Sequence, residues 1–228
     1  MWATNLRKQY YPNPVPNSFY SGNSSEEKYV GLREDYYTFS WGDAQFIVLD
    51  PYWYTTAKPN NNGWKWTLGK AQYDWLQQVL VNSRAKYKFV FIHQLVGGDN
   101  QGRGGVELAN LYEWGGYNPD GSYGFDKERP GWGKPVHRLL VENGVNVVFK
   151  GHDHFYARQE LDGVIYQTLP QPGHEGDKID TAQQYGYING QITGGSGYLR
   201  VNVSISEVTI QFVKDNEKRE IVTSYTIK

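Results

Sequence analysis

Most of the metal-binding chemistry in this chain rests with its histidines, of which there are only five in 228 residues. His152 and His154 lie two positions apart in Gly151-His152-Asp153-His154, directly after the apolar run Val145-Asn146-Val147-Val148-Phe149-Lys150. His93 follows a second apolar run, Phe89-Val90-Phe91-Ile92. Imidazole is the commonest metal ligand among side chains. If the tetrapeptide prolongs its strand, residues i and i+2 point the same way about 7 Å apart. Two such rings reach two ions about 3.5 to 4 Å apart, the spacing of two-metal hydrolytic sites, with Asp153 facing away between them. The pattern predicts a metal site on His93, His152 and His154. The competing reading is a surface turn that happens to carry two histidines.

The other candidates are less directly placed. His137 falls on a predicted helix beside Leu140 and Val141, and reads as a packing or surface residue. His174, in the loop Pro170 to Gly176, is a candidate substrate or supporting contact. Arg103, in Gly102-Arg103-Gly104-Gly105, is either a partner for a phosphoryl oxygen or a solvated loop arginine. No Lys-Ser or Lys-Thr follows these glycines, which argues against a nucleotide-binding P-loop.

Positioning these residues requires strands that end at the histidines. Tyr36 to Asp50 reads as a hairpin turning at Trp41-Gly42-Asp43-Ala44. Thr67 caps a predicted helix whose apolar stripe is Leu68, Ala71, Trp75, Leu76, Val79 and Leu80. A second helix runs from about Pro135 to Asn143 and closes at Gly144. After the GHDH come a strand over Val164 to Leu169, a Gly194-Gly195-Ser196-Gly197 turn, and alternating strands over Tyr198 to Ser204, Val208 to Val213 and Ile221 to Ile227. Residues 1–29, rich in Pro, Asn, Ser and Tyr, read as an irregular arm. Residues 96–132 read as a long active-site loop, because connections of that length are usually functional or disordered. The whole reads as a single domain over 1–228 with an α/β (α+β) fold, a β-sandwich flanked by helices.

The stretch Gly144 to Arg158, GVNVVFKGHDHFYAR, resembles the closing metal motif of the calcineurin-like metallophosphoesterases. Its Tyr156 and Arg158 give it the look of the purple acid phosphatase branch. Three further segments agree in order: YYTFSWGDAQFIVLD from Tyr36 to Asp50 with that family's central hairpin, QYDWLQQVL from Gln72 to Leu80 with its helix, and FVFIHQ from Phe89 to Gln94 with its single-histidine motif. The resemblance runs from about Val30 to Val213. It implies phosphate-ester hydrolysis at a dinuclear centre of two divalent or trivalent transition ions (Fe, Zn or Mn). His93 and His152 would bind one ion and His154 the other, while Tyr156 and Arg158 would be supporting or packing groups. The segment after the single histidine would overhang the metals and contact substrate.

The family's Asp-x-His, bridging Gly-Asp, and Gly-Asn-His followed by Asp or Glu have no counterpart here. Gly22-Asn23 continues as Ser24-Ser25, and Met1 to Pro16 resembles the segment that follows the Gly-Asn-His motif. The fold is therefore expected to be incomplete at its N-terminal half. Two divalent ions bring four positive charges and neutral imidazoles offset none of them, so at most one weakly bound ion is expected for this chain alone. Asp50, Asp99 and Asp153 are the nearest candidate carboxylates, and their spacing makes none of them a bridge.

Composition narrows the setting. With no cysteine there is no disulfide framework, and a net charge of -1 argues against a nucleic-acid footprint. No run of about 18 apolar residues suits a membrane span. An aromatic content of 16% with a single Met suggests an extracellular or periplasmic hydrolase. Two function classes stay open: a phosphoesterase half-site, completed by an N-terminal half or by another copy of the chain, or a catalytically silent secreted structural or binding module. A sugar-binding role for the latter would draw on exposed aromatics such as Trp64, Trp66 and Trp114.

Overall fold

A computed structural model describes residues 1–57, 62–173 and 179–228. Thirteen strands occur among them: β1 (Ser21–Gly22), β2 (Glu26–Glu27), β3 (Gly31–Leu32), β4 (Tyr37–Trp41), β5 (Ala44–Leu49), β6 (Tyr87–Ile92), β7 (Val147–Lys150), β8 (Tyr156–Leu161), β9 (Val164–Thr168), β10 (Gln191–Thr193), β11 (Gly197–Val203), β12 (Val208–Lys214) and β13 (Ile221–Ile227). The helices are α1 (Trp2–Tyr10), α2 (Lys70–Val81), α3 (Tyr112–Gly115), α4 (Phe125–Glu128), α5 (Val136–Glu142) and α6 (Asp180–Gln184). Among the described residues no helix is long and apolar enough to cross a membrane.

Eight strands form one mixed sheet in the order β1-β4-β5-β6-β7-β9-β8-β10, while β11, β12 and β13 form a separate antiparallel sheet. The β4–β5 hairpin closes through Gly42 at φ +57, the positive first position that two-residue hairpin turns favour. From β5 onward β5, β6, β7 and β9 run parallel. Parallel strands are covered on both faces, and the unbroken burial of Val147 to Lys150 and of Val164 to Thr168 follows from that. One face packs Ile47, Val90, Ile92 and Val148 against Leu76 and Leu80 of α2 and Leu139 and Leu140 of α5. The other packs Phe89, Val147 and Ile165 against Val208, Ile210 and Tyr225 of the smaller sheet. Sheet on sheet with helices outside is the expected class.

Three expectations need correction. The N-terminal arm is not irregular throughout, because residues 2–10 are helical. That helix buries none of its residues and is held instead by polar ties, with Lys8 Nζ donating to Val30 O at 2.8 Å and Arg7 bonded to Arg33 O. The α2 helix starts at Lys70, not at a Thr67 cap, since Thr67 Oγ1 accepts from Gly69 N instead. The 96–132 segment is not an overhanging loop throughout, because part of it enters the core. Trp114 is fully buried and donates to Tyr166 OH at 2.8 Å. Glu113 is buried between Leu68 N at 2.7 Å and Arg129 Nε at 2.5 Å. Gln101 acts on His152, and Arg103 and Gly104 on the neighbouring Asp153.

Candidate metal centre

Strand register brings two of the histidines together. Ile92 lies opposite Lys150 in the parallel β6–β7 pair, so both chains leave the sheet at its C-terminal edge side by side, and Gly151 N donates to His93 O at 3.0 Å. That edge is where open parallel sheets present ligand sites. One residue further along β7's exit, His93 Nε2 and His152 Nδ1 share a hydrogen bond at 3.1 Å, with ring centroids 5.1 Å apart. Burial lowers the pKa of His93, and the His152 and His154 charges add to that effect. Burial lowers that of His152 as well, against the pull of Asp153. Both rings are therefore held toward the neutral form that binds metals.

The tetrapeptide itself departs from the extended geometry read from its sequence. The β7 strand stops at Lys150, and His152 and His154 have φ of +71 and +63. Left-handed backbone costs a non-glycine residue on the order of 1 to 3 kcal/mol and persists only where surroundings enforce it. An i, i+2 strand argument therefore does not describe these two rings. His154 is exposed.

Asp153 does face away from the histidines, into the protein. Its Oδ2 accepts from Lys150 Nζ at 3.1 Å, Tyr187 OH at 2.6 Å and Gly104 N at 3.2 Å. Its Oδ1 lies 3.5 Å from Arg103 Nη1, an ion pair outside hydrogen-bond geometry. Lys150 is almost fully buried, and burial lowers its pKa while the Asp153 carboxylate opposes the shift. Tyr187 also accepts from Lys150 and lies 3.1 Å from Thr168 Oγ1. Neither Lys150 nor Tyr187 stands out in the sequence.

The remaining candidates are separated. Arg103 is part-buried and lies over the Tyr185 ring at 4.2 Å, so it is not a freely solvated loop residue. His137 is no surface residue: it is buried, with Nδ1 at 2.7 Å from Tyr166 OH and Nε2 at 3.0 Å from Asp162 Oδ2. His174 lies outside the described residues. Tyr156 stacks on Phe212 at 5.0 Å, and Arg158 covers Tyr225 at 4.2 Å; both join the two sheets. Asp50 is engaged by Tyr52 N and Trp53 N, and Asp99 by Gln101 N and Arg103 N. Trp64, Trp66 and Trp114, taken as exposed, are buried at 9%, 8% and 0% exposure, which removes them as a sugar platform.

Two nitrogens bound at about 2.0 to 2.1 Å in a tetrahedral shell lie roughly 3.3 to 3.4 Å apart. The 3.1 Å separation of His93 Nε2 and His152 Nδ1 suits two ligands of one ion. Among the described residues, no three His, Cys, Asp or Glu side chains are grouped to hold a metal. The pair fits part of a coordination shell, and a dinuclear centre is not assembled from the described residues.

No protein-family model matches the chain, and no curated protein is similar to it in sequence. Solved structures are. A purple acid phosphatase from yellow lupin seeds superposes over 95% of this chain at 16% identity and a TM-score of 0.52. PhoD superposes over 99% of it at 16% identity and a TM-score of 0.58. The chain has the metallophosphoesterase fold. At that identity the likeness speaks for architecture alone. The chain spans 34% of the length of the lupin enzyme structure and 47% of that of PhoD.

Proposed function

We infer that this metallophosphoesterase-fold chain supplies the His93 and GHDH part of a phosphoesterase metal centre, whose carboxylate ligands come from beyond the described residues. The observation that supports this reading is the facing imidazole pair at the C-terminal edge of adjacent parallel strands, with nitrogens 3.1 Å apart. A transition ion held by the pair supplies Lewis acidity to a phosphoryl oxygen. His93, just after β6, and His152, after β7, would hold that ion, and His154 would be a ligand for its neighbour. Arg103, steadied over Tyr185, presents a cation to the anionic ester.

A second reading, a catalytically silent scaffold, draws on the local engagement of Asp50, Asp99 and Asp153, which leaves the imidazoles without an acidic co-ligand among the described residues. Hydrolysis of chromogenic phosphate mono- and diesters with Fe, Zn or Mn separates the two. The chain alone is expected to show little turnover. Joined to or co-expressed with a segment carrying Asp-x-His, Gly-Asp and Gly-Asn-His, it is expected to gain activity that His152→Ala abolishes. Continued inactivity with all ligands supplied would favour the silent scaffold.

A further inference from the structure

We propose that Asp153 is a positioning residue, the carboxylate through which the histidine turn and the 97–105 segment are held in one arrangement. It sits between two left-handed histidines, at φ +71 and +63, and it is 2% exposed. A backbone conformation that side-chain-bearing residues avoid needs an anchor, and Asp153 supplies one with three donors on one oxygen: Lys150 beneath it, Tyr187 from the far side, and Gly104 N from the overlying segment. Its other oxygen faces Arg103 at 3.5 Å. Neutralising this carboxylate would leave a buried lysine unpaired and release the turn and the segment together. Its consequence for metal binding rests on the function proposed above, whereas its consequence for the histidine rings does not.

The test compares Asp153→Asn and Tyr187→Phe with Glu113→Gln, a buried carboxylate bonded to Leu68 and Arg129 and to neither histidine, each protein being characterised by urea unfolding. Two readouts are taken: the nuclear Overhauser contact between the His93 and His152 rings, and Co2+ affinity. Asp153→Asn is expected to abolish the ring contact and to weaken Co2+ binding by about 10- to 100-fold, the usual effect of losing a group that orients a ligand. Tyr187→Phe, which keeps the charge pair, is expected to weaken both in the same direction, and it decides the matter if Asp153→Asn does not fold. Glu113→Gln is expected to preserve both despite lower stability. An intact ring contact in Asp153→Asn or, where that protein does not fold, in Tyr187→Phe would overturn the proposal. So would equal loss in Glu113→Gln, which would make Asp153 a stabilising group only. A wild-type chain that binds no Co2+ would count against the proposed function, while the ring contact would still decide the role of Asp153.

Discussion

Glu113 and Asp153 are both buried carboxylates facing an arginine, and they are built differently. Glu113 is fully buried, its two oxygens taken by Leu68 N and Arg129 Nε, and Arg129 is itself spent on Trp64 O and Trp66 O. Asp153 has one oxygen saturated by three donors, while the other faces a part-buried Arg103 without a hydrogen bond. The first arrangement ties α3, the 64–68 stretch and Arg129 together in the core. The second, beside the histidines, leaves an arginine only loosely committed. A saturated anchor fixes its arginine by hydrogen bonds, and an unsaturated one holds it by charge and by the Tyr185 ring alone.

That contrast can be broken most easily at its rigid end. Arg129→Ala strands Glu113 in the core and is expected to cost about 3 to 5 kcal/mol in urea unfolding. A cost under 1 kcal/mol would show that the carboxylate is protonated or solvated there. His137→Ala removes bonds to Tyr166 and Asp162 and is expected to cost roughly 1 to 3 kcal/mol, leaving metal binding unchanged. Loss of metal affinity in that variant would move the site away from the sheet edge. At the loose end, Arg103→Ala is expected to cost less than about 1 kcal/mol, since a part-exposed pair without a hydrogen bond contributes little. A larger loss would erase the distinction from Arg129. His154→Gly, at φ +63 and exposed, is expected to gain up to about 1 kcal/mol by relieving left-handed strain. Destabilisation there would mean that the imidazole makes contacts that hold the turn.

The strands around the histidines were legible because alternating and continuous apolar runs have few other uses. The α2 helix follows from its 3.6-residue stripe, and α5 from its proline start and its stop at Gly144. The α1 helix escaped because it has no buried face to leave a stripe, and its ties to Val30 and Arg33 run through lysine and arginine side chains. The burial of Trp114 and Glu113 depends on contacts with Tyr166 and Leu68, more than 40 positions away, which local composition does not report. At the site, residue types and strand ends point to His93, His152 and His154 as a set, and only the family resemblance pairs His93 with His152. The left-handed turn of the GHDH, and the Lys150–Tyr187 support behind it, are set by tertiary packing that no local pattern encodes.

The central claim is that His93 and His152 form one ligand pair. Calorimetric titration with Zn2+ of the wild-type chain, His93→Ala, His152→Ala and His137→Ala tests it most directly. One weakly held ion per chain is predicted for wild type and His137→Ala, with binding lost in both of the other variants. Equal binding in all four proteins, two tightly held ions per chain, or no binding by wild type would contradict it.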